Sequence, residues 1–305
     1  MYFLLILNPA SGGGRNVMKL KKVLRYFRRK GDTVVVHRTT GPGDARRVAR
    51  DRSGEGFDAV IGAGGDGTIH EVVGGLAGTG TPLGILPWGT GNVFAREMGL
   101  PRRVKALCKV IRHGRRVDID LGLADGRPFL LMASVGLDAY ALGRMKGIRG
   151  KRLWGLWAYV FAGLDAWARY PSPGIEVRLG DGRMDKGSFV LVSNTKLYGA
   201  YFVLQPAADP TDGLLDVFVF RDTGRWKFLG MIVQLVWHNL VLRSSHAPGF
   251  LARHGVYRVD SLRLLPGRER PVQVDGEFLE GGAVSVEVAS RALKVLLPRH
   301  RRPPL

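Results

Sequence analysis

Cysteine, acidic side chains and long apolar runs are all scarce in this chain of 305 residues. The single cysteine, Cys108, cannot form an internal disulfide, which excludes a disulfide-stapled secreted domain and fits a reducing cytosol. The longest apolar stretches, Leu153 to Leu164 and Phe228 to Leu242, are shorter than the roughly 20 residues that a bilayer-spanning helix needs. We therefore expect neither an extracellular scaffold nor an integral membrane protein.

Acidic residues are outnumbered by basic ones. The chain carries 46 Lys and Arg against 26 Asp and Glu, which gives a formal net charge of +20. Such a charge favours anionic partners, namely nucleic acid, anionic lipid headgroups or nucleotide phosphates, and does not choose among them. No recognised nucleic-acid-binding motif accompanies it, so no specific nucleic acid partner is expected. An Arg-rich proteome is an alternative source of the same charge.

The first 120 residues alternate short apolar runs with helical patterns. The apolar runs predict strands at Phe3–Leu7, Thr33–His37, Ala59–Gly62 and Pro82–Leu86. Helices are predicted at Met18–Lys30, Pro42–Asp51, Thr68–Ala77, Val93–Met98 and Val104–Ile111. Because these strands are continuously apolar, we expect a parallel sheet covered on both faces. Residues 1–120 are predicted to form an open, Rossmann-like α/β domain, whose ligands gather at the carboxyl ends of the strands.

The pattern changes after residue 120, where short strands alternate with Gly, Pro and Asp turns. Strands are predicted at Phe129–Ser134, Gly174–Leu179, Gly187–Asn194, Leu215–Phe220, Ser261–Leu265, Val272–Val274, Val284–Val288 and Ala292–Leu297. Helical insertions are predicted near 150–169 and 225–242. We expect 121–290 to form a mainly antiparallel β-sandwich domain, with the tail 291–305 available to pack back on the first domain. Two such domains are expected to meet at a cleft, where active sites are common.

Three of the predicted strands in the first domain end in small, glycine-rich loops. Their sequences are Asn8-Pro9-Ala10-Ser11-Gly12, Gly64-Gly65-Asp66-Gly67-Thr68 and Pro87-Trp88-Gly89-Thr90-Gly91-Asn92. A strand, a small-residue loop and a helix N-terminus leave backbone N–H groups available for phosphate oxygens. The first loop lacks the Lys-Ser/Thr ending of a Walker A motif, so P-loop chemistry is not indicated. Each loop alone is also typical of an ordinary turn; three at one sheet edge indicate a polyphosphate site, where Asp66 could position Mg²⁺ or a hydroxyl.

In this order and spacing, the loops resemble the motifs of the diacylglycerol kinase catalytic family, which includes bacterial lipid kinases and sphingosine kinases. The likeness runs through Asn8-Pro9-x-x-Gly12, Gly64 to Val72 and Pro87 to Asn92, and continues in Ala133 to Asp138, Pro206 to Asp216 and Val274 to Glu277. It covers nearly the whole chain. The Gly-Gly-Asp-Gly-Thr sequence alone also occurs in NAD kinases, so the later motifs select the lipid branch.

The resemblance implies an enzyme that uses ATP and Mg²⁺ to phosphorylate a lipid hydroxyl. The residues implied to surround ATP are Asn8, Pro9, Ala10, Ser11, Gly12, Thr40, Gly64, Gly65, Asp66, Gly67, Thr68, Glu71, Thr90 and Asn92. Thr40 follows the second predicted strand, where capping of the next helix is an alternative role that is compatible with the first.

The segment Val272–Leu279 contains Asp275-Gly276, which by itself predicts a β-hairpin with a two-residue turn. The resemblance implies that Asp275 and Glu277, together with Asp66, form the catalytic set. Glu277 would be the base that accepts the proton of the substrate hydroxyl. Asp275 would orient it, bind the lipid hydroxyl or join the magnesium network. Deprotonation of an alcohol that attacks a phosphoryl group needs a carboxylate within hydrogen-bonding distance.

The loop from Asp209 to Asp216 is rich in acids and turn residues. Carboxylate and carbonyl oxygens are the ligands that Mg²⁺ takes alongside water. The resemblance implies a structural Mg²⁺ held by Asp209, Asp212 and the carbonyl of Leu214, and a second Mg²⁺ that arrives with ATP. An Asx-turn before the next strand is the alternative interpretation.

Basic residues stand beside aromatic ones in 144–161, and Trp226 and Trp237 lie in the second helical insertion. This combination is typical of a helix in a lipid headgroup layer, while a core helix with a solvated basic lead-in is the alternative. We expect a cytoplasmic protein in peripheral contact with anionic phospholipids, and a homodimer is left open. Diacylglycerol is the expected lipid substrate, and phosphatidic acid the product. Sphingoid bases, ceramide-like lipids and phosphatidylglycerol remain alternatives, as do an NAD kinase and a non-catalytic lipid-binding protein.

Overall fold

The computed structural model describes residues 1–14, 16–140, 174–198, 202–240, 253–266, 271–279 and 282–299. The chain divides into two compact units. The first unit comprises Met1–Leu121, Pro210–Asp212 and Ala289–Leu305, and the second comprises Gly122–Asp209 and Gly213–Val288.

The first unit is an open α/β sheet. Its strands are β1 (Tyr2–Leu7), β2 (Thr33–Arg38), β3 (Ala59–Gly64) and β4 (Leu83–Pro87), and its helices are α1 (Asn16–Arg28), α2 (Asp44–Arg52), α3 (Asp66–Leu76), α4 (Val93–Glu97) and α5 (Val104–His113). The four strands pair in parallel in the order β2-β1-β3-β4. Every strand and helix predicted for this part has a counterpart, so the predicted α/β class is confirmed.

Strand β1 is buried on both faces, and this burial explains why its sequence is continuously apolar. Phe3 and Leu5 pack in a cluster with Leu20 and Phe27 of α1 and with Leu107 of α5. The intervening side chains, Leu4 and Ile6, are also fully buried. A strand that is buried on both faces has no position for a polar side chain, which is the pattern expected of a covered parallel sheet.

The second unit is built mainly from antiparallel strands. They are β5 (Arg115–Ala124), β6 (Arg127–Phe129), β7 (Met132–Val135), β8 (Ile175–Leu179), β9 (Met184–Gly187), β10 (Phe189–Ser193), β11 (Leu197–Tyr198), β12 (Phe202–Val203), β13 (Leu215–Phe220), β14 (Gly255–Val259), β15 (Ser261–Leu265), β16 (Val272–Val274), β17 (Glu277–Leu279) and β18 (Val284–Leu297). One helix, α6 (Arg225–Leu240), follows β13. Strands β5 and β18 begin in one unit and end in the other.

The second unit packs one sheet against another. One sheet has the order β14-β13-β10-β7-β16-β17, and the other contains β15, β8 and β9 together with the first part of β18. Val190 and Val217 of the first sheet share a buried cluster with Val177, Leu264 and Val286 of the second. The predicted β-sandwich is therefore confirmed, because alternate side chains of both sheets form one core.

Two predicted strand boundaries are wrong. The apolar run Phe129–Ser134, predicted as one strand, ends β6 and begins β7, because the N–H groups of Leu130 and Leu131 bond to a carboxylate instead of a strand. Conversely, the runs predicted at Val284–Val288 and Ala292–Leu297 are one strand, β18. Between the two runs, the backbone of Arg291 has a left-handed φ of 53°, and its N–H donates to Oδ1 of Asp120.

The second predicted helical insertion is confirmed as α6, which ends at Leu240. The first, near 150–169, lies outside the described residues.

Candidate active site

Three loops come together at the carboxyl ends of β1, β3 and β4. The N–H of Asn8, after β1, donates to the carbonyl of Ala63 at 3.0 Å, and the N–H of Trp88, after β4, donates to the carbonyl of Gly64 at 2.7 Å. The middle loop is thus tied to both neighbours by its backbone. The convergence predicted from the strand order is present in the first unit.

Asp66 joins the second loop to the third. Its Oδ2 accepts the N–H of Asn92 at 2.7 Å, and its Oδ1 accepts the N–H of Val93, also at 2.7 Å. Val93 is the first residue of α4, so the carboxylate stabilises that helix N-terminus as a side-chain cap supplied from a distant segment. Asp66 therefore has a clear positioning role in the loop cluster.

The third loop is closed by its own asparagine. Asn92 has a φ of 49°, a left-handed conformation that Asn tolerates better than most residues. Its side chain accepts the N–H of Gly89 at 2.9 Å and donates to the carbonyl of Gly89 at 2.8 Å. This double contact fixes the backbone on either side of the exposed Thr90.

The second and third loops approach too closely for a side chain between them. A Cβ at Gly89 would lie 2.4 Å from the Cα of Gly65, and a Cβ at Gly91 would lie 2.7 Å from Oδ2 of Asp66. Glycine is therefore required at both positions for the close approach of the two loops, because neither residue has a positive φ.

The first loop contacts the helix that follows the second. Asn8 donates from Nδ2 to Oγ1 of Thr68 at 3.0 Å, and its Oδ1 accepts the N–H of Ala10 at 2.9 Å. The next residues, Ser11 to Gly14, form a 3-10 turn, and Asn16 donates to the carbonyl of Ser11. The small residues predicted around ATP in this loop thus belong to one hydrogen-bonded turn.

Helix α3 presents an N-terminus suited to an anion. Its N-cap is Gly65, which supplies no side-chain cap, and a Cβ at Gly67 would meet nothing within 4 Å. The first turn of a helix carries partial positive charge and N–H groups without intrahelical partners. Open backbone, absent side-chain bulk and this field are what a nucleotide phosphate requires, so the residues fit the implied ATP.

Asp44, which the motifs did not single out, organises the loop that contains Thr40. Its Oδ2 accepts the N–H of Thr40 at 3.0 Å and lies 2.9 Å from Nε2 of His37, while Arg47 donates to its Oδ1. The hydrogen bonds from His37 and Thr40 hold the pKa of Asp44 well below its ordinary value. The signal available in the sequence was an acid in the first turn of the helix predicted at Pro42–Asp51.

Thr40 itself is exposed and does not cap α2. The N-cap residue is Gly43, and Oγ1 of Thr40 lies 3.3 Å from Oδ2 of Asp44. A capping side chain accepts an N–H group of the helix. Here Thr40 instead donates its N–H and hydroxyl groups to the carboxylate of Asp44, the first residue of α2, so the alternative role in capping is not seen. Glu71, on α3, accepts the N–H of Ala45 at 3.1 Å and so links α3 to the start of α2.

The second predicted group of site residues lies on the hairpin β16–β17. Asp275 and Gly276 form its two-residue turn, with φ values of 47° and 86°, and Val274 pairs with Glu277. Positive φ at both central residues is the backbone signature of a type I′ hairpin. The hairpin that Asp-Gly predicts is therefore present.

The carboxylate of Asp275 is held by three backbone donors. Oδ2 accepts the N–H of Leu130 at 2.6 Å, and Oδ1 accepts those of Leu131 at 3.0 Å and Met132 at 2.9 Å. The N–H of Asp275 returns a bond to the carbonyl of Met132. These contacts anchor the turn to the start of β7. Glu277, two residues later, is exposed at the beginning of β17.

The predicted magnesium ligands lie on the loop before β13. Asp209 and the half-buried Leu214 belong to the second unit, and the exposed Asp212 belongs to the first. The carbonyl of Pro210, inside this loop, accepts the N–H of Asp120 at 2.7 Å. Within the described part of the chain, no group of three or more His, Cys, Asp or Glu side chains could hold a metal ion.

The second unit also holds Asp138, an acid to which the sequence motifs assign no role. Oδ2 of Asp138 accepts a hydrogen bond from the hydroxyl of Ser134 at 2.6 Å and lies 3.4 Å from the hydroxyl of Tyr198. Burial raises the pKa of Asp138. The signal in the sequence was its place at the end of the Ala133 to Asp138 motif.

The membrane-related segments are only partly described. Residues 144–161 lie outside the described residues, whereas α1 carries the basic residues between Lys19 and Arg28. Trp226 and Trp237 of α6 are 70% and 60% exposed. Among the residues that the structure describes, no helix is long and apolar enough to cross a bilayer.

The chain matches two family models. Residues 2–124 match the family model described as the diacylglycerol kinase catalytic domain. Residues 132–297 match the one described as the YegS C-terminal NAD kinase beta sandwich-like domain.

Several curated proteins align along nearly the full length. A diacylglycerol kinase of Bacillus subtilis is 30% identical over 97% of this chain and 96% of its own. A Pseudomonas aeruginosa protein named "Probable lipid kinase YegS-like" is 31% identical over 97% of this chain and 94% of its own. A crystal structure of a Bacillus anthracis diacylglycerol kinase, 24% identical, covers 97% of this chain and 96% of that chain with a TM-score of 0.74, which shows the same fold. The chain therefore belongs to the diacylglycerol kinase catalytic family of lipid kinases.

Proposed function

We propose that this protein is an ATP-dependent kinase that transfers a γ-phosphoryl group to a lipid hydroxyl, with diacylglycerol as the substrate and phosphatidic acid as the product. The observation that carries the proposal is the hairpin β16–β17. It has Asp275 fixed by three backbone N–H groups and an exposed carboxylate, Glu277, two residues away. A general base needs a defined position and access to its substrate, and this hairpin offers both.

In the first unit, the glycine loops supply the phosphate-binding part of the proposed site. ATP, when bound, provides the electrophilic γ-phosphorus. Backbone N–H groups after β1 and at the start of α3 donate to phosphate oxygens, while Asp66 and Asn92 keep the loops in register for that contact. Thr40 is presented by Asp44 from the loop after β2.

In the second unit, Glu277 takes the proton from the substrate hydroxyl as the hydroxyl oxygen attacks the γ-phosphorus of ATP. The bond from that phosphorus to the β,γ-bridging oxygen breaks, and ADP leaves. Asp275 acts by holding the turn that carries Glu277, which is one of the roles that the motif resemblance implied for it. Asp209, Asp212 and the carbonyl of Leu214 would hold Mg²⁺, whose charge would organise the acidic loop.

The deciding experiment is a kinase assay on purified protein with radiolabelled ATP and a panel of acceptors, with products identified by mass spectrometry. The panel contains diacylglycerol, a sphingoid base, ceramide, phosphatidylglycerol and NAD. We expect phosphatidic acid as the main product. Label transfer to NAD alone would replace the proposal with an NAD kinase, and no transfer to any acceptor would favour a non-catalytic lipid-binding protein.

Proton removal has its own test. The Glu277→Gln variant keeps the size and hydrogen-bonding capacity of the side chain but cannot act as a base. We expect ATP binding, measured by calorimetry, to be retained while turnover is lost.

A further inference from the structure

Helix α6 has two apolar faces, and only one of them is buried. Phe228, Met231 and Leu235 are 9%, 4% and 1% exposed. Phe228 packs edge-on against the rings of Phe189 and Phe220, each with centroids 5.5 Å away. This face attaches the helix to the second unit and accounts for its packing.

The opposite face of α6 carries an exposed apolar stripe. Trp226, Val233 and Trp237 are 70%, 59% and 60% exposed. At 3.6 residues per turn, these three side chains project within about 40° of one another. Gly230 lies on the same side, and a Cβ there would meet nothing within 4 Å. We call Trp226, Val233 and Trp237 the tryptophan stripe.

Helix α6 carries the basic residues Arg225 and Lys227 and no acid. From Thr223 to Val259 the chain contains no Asp or Glu, although the whole chain has 26 acids in 305 residues. The same segment contains Arg225, Lys227, Arg243, Arg253 and Arg258. Lys227 Nζ lies 2.8 Å from Oδ1 of Asp222, and Arg258 Nε lies 3.7 Å from Oδ1 of Asp216, so both acids that pair with this segment come from outside it.

We propose that the tryptophan stripe is a docking surface for an anionic lipid bilayer, with α6 lying in the headgroup layer. Trp rings are amphipathic and favour the interface between water and hydrocarbon. A segment with only positive charge is attracted to anionic headgroups. A helix of 16 residues with one face in the protein and the other in solvent can lie on a membrane without crossing it.

The bilayer fits this surface better than a second copy of the chain does. An identical partner that docked through α6 would bring a second helix with Arg225 and Lys227 and no acid to the stripe, and like charges disfavour that contact. A lipid surface supplies both the negative charge and the apolar layer that the stripe lacks. The inference rests on the proposed function, because a kinase for a membrane lipid must reach its substrate at the bilayer surface.

The test is sedimentation with vesicles of phosphatidylcholine and phosphatidylglycerol, without ATP. For Trp226→Ala/Trp237→Ala we expect a roughly tenfold or greater loss of vesicle affinity. Trp226→Phe/Trp237→Phe should retain most of the affinity. Met184→Ala, which removes a side chain 58% exposed on β9 of the same unit, should bind like the wild type. Circular dichroism and thermal unfolding check that each variant is folded, and Val233→Ser provides a second variant with an expected partial loss.

Wild-type affinity in the double alanine variant would overturn the inference. A wild-type dimer that this variant converts to a monomer, measured by light scattering, would also overturn it and make the stripe an interface between copies.

A kinase assay separates this inference from the proposed function. The double alanine variant should phosphorylate a short-chain, monomeric diacylglycerol normally and a vesicle-embedded one slowly. If the wild type phosphorylates no lipid, the proposed function fails while the vesicle-binding result still decides the docking surface. Equal loss with both substrates would overturn docking as the role of the stripe.

Discussion

Asp66 in the first unit and Asp275 in the second were both predicted as catalytic carboxylates, and the structure gives them comparable surroundings. Asp66 accepts two backbone N–H groups and ties one loop to another. Asp275 accepts three and ties a hairpin to the start of a strand. In each unit a carboxylate accepts backbone N–H groups and so ties two segments of the chain together.

The difference lies in what stands next to each carboxylate. Asp66 is surrounded by glycines, so the groups beside it are backbone N–H donors suited to phosphate. Asp275 is followed two residues later by the exposed Glu277, an acceptor suited to a proton. Under the proposed function, a carboxylate bonded to backbone N–H groups would support phosphate binding in the first unit and proton removal in the second.

The largest expected effect tests the proton acceptor in the second unit. We expect Glu277→Gln to lower kcat by roughly 10²–10⁴-fold, because the base is removed while the side-chain shape is kept. Steady-state kinetics with saturating ATP measure it. A kcat near that of the wild type would show that Glu277 is not the base. Asp275 would then support no proton acceptor, unlike the role proposed for it here.

The next effect tests whether Asp275 acts through the backbone. Asp275→Asn would place an amide donor among three N–H donors, so we expect the free energy of unfolding to fall by about 2–4 kcal/mol. Urea denaturation measures this change. Asp181→Asn is the matched control, because Asp181 precedes Gly182 in an exposed turn of the same unit and should leave the free energy of unfolding nearly unchanged. Similar stability of both variants would contradict the anchoring role.

A smaller effect tests the close approach of the loops in the first unit. Gly89→Ala would place a Cβ 2.4 Å from the Cα of Gly65, so we expect the unfolding free energy to fall. Overpacking of this kind costs about 1–3 kcal/mol. Gly67→Ala meets open space at the start of α3 and should be neutral or stabilising in the same measurement. If Gly89→Ala and Gly67→Ala had the same free energy of unfolding, the two loops would have to move apart at little cost to accept the new Cβ atom.

The smallest effect concerns the support of Thr40 by Asp44. Asp44→Asn should raise the KM for ATP by about 3–10-fold with little change in kcat, because it weakens the hydrogen bonds that position this loop. Asp51→Asn, at an exposed position on the same helix, should leave both constants unchanged. A fall in kcat with unchanged KM would place Asp44 elsewhere in the mechanism.

The same residue makes a pH prediction. The pKa of Asp44 is lowered in the folded protein, chiefly by the hydrogen bond with His37. Its stabilising contribution is therefore complete above the ordinary Asp pKa of 3.8 and is lost only as pH falls below that value. We expect the difference in unfolding free energy between the wild type and Asp44→Asn, measured by urea denaturation, to shrink as pH falls below 3.8.

Much of the architecture could be predicted because its causes are local. Leu4, Ile6 and their neighbours form a run without polar interruption, and such a run is compatible with a strand buried on both faces. The order of strands and glycine loops in the first unit followed from this pattern. Strand ends were less predictable: Leu130 and Leu131 are apolar like a strand, but their N–H groups are taken by Asp275.

By itself, the sequence determined the α/β and β-sandwich classes, the family and the candidate site residues, because periodicity and motif spacing act over a few neighbouring positions. Only the tertiary structure decided that Asp275 is engaged by Leu130, 145 residues away in the chain, and that Trp226 and Trp237 face solvent rather than the core. Long-range hydrogen bonds and the choice of buried helix face depend on which segments pack together, and no local pattern contains that information.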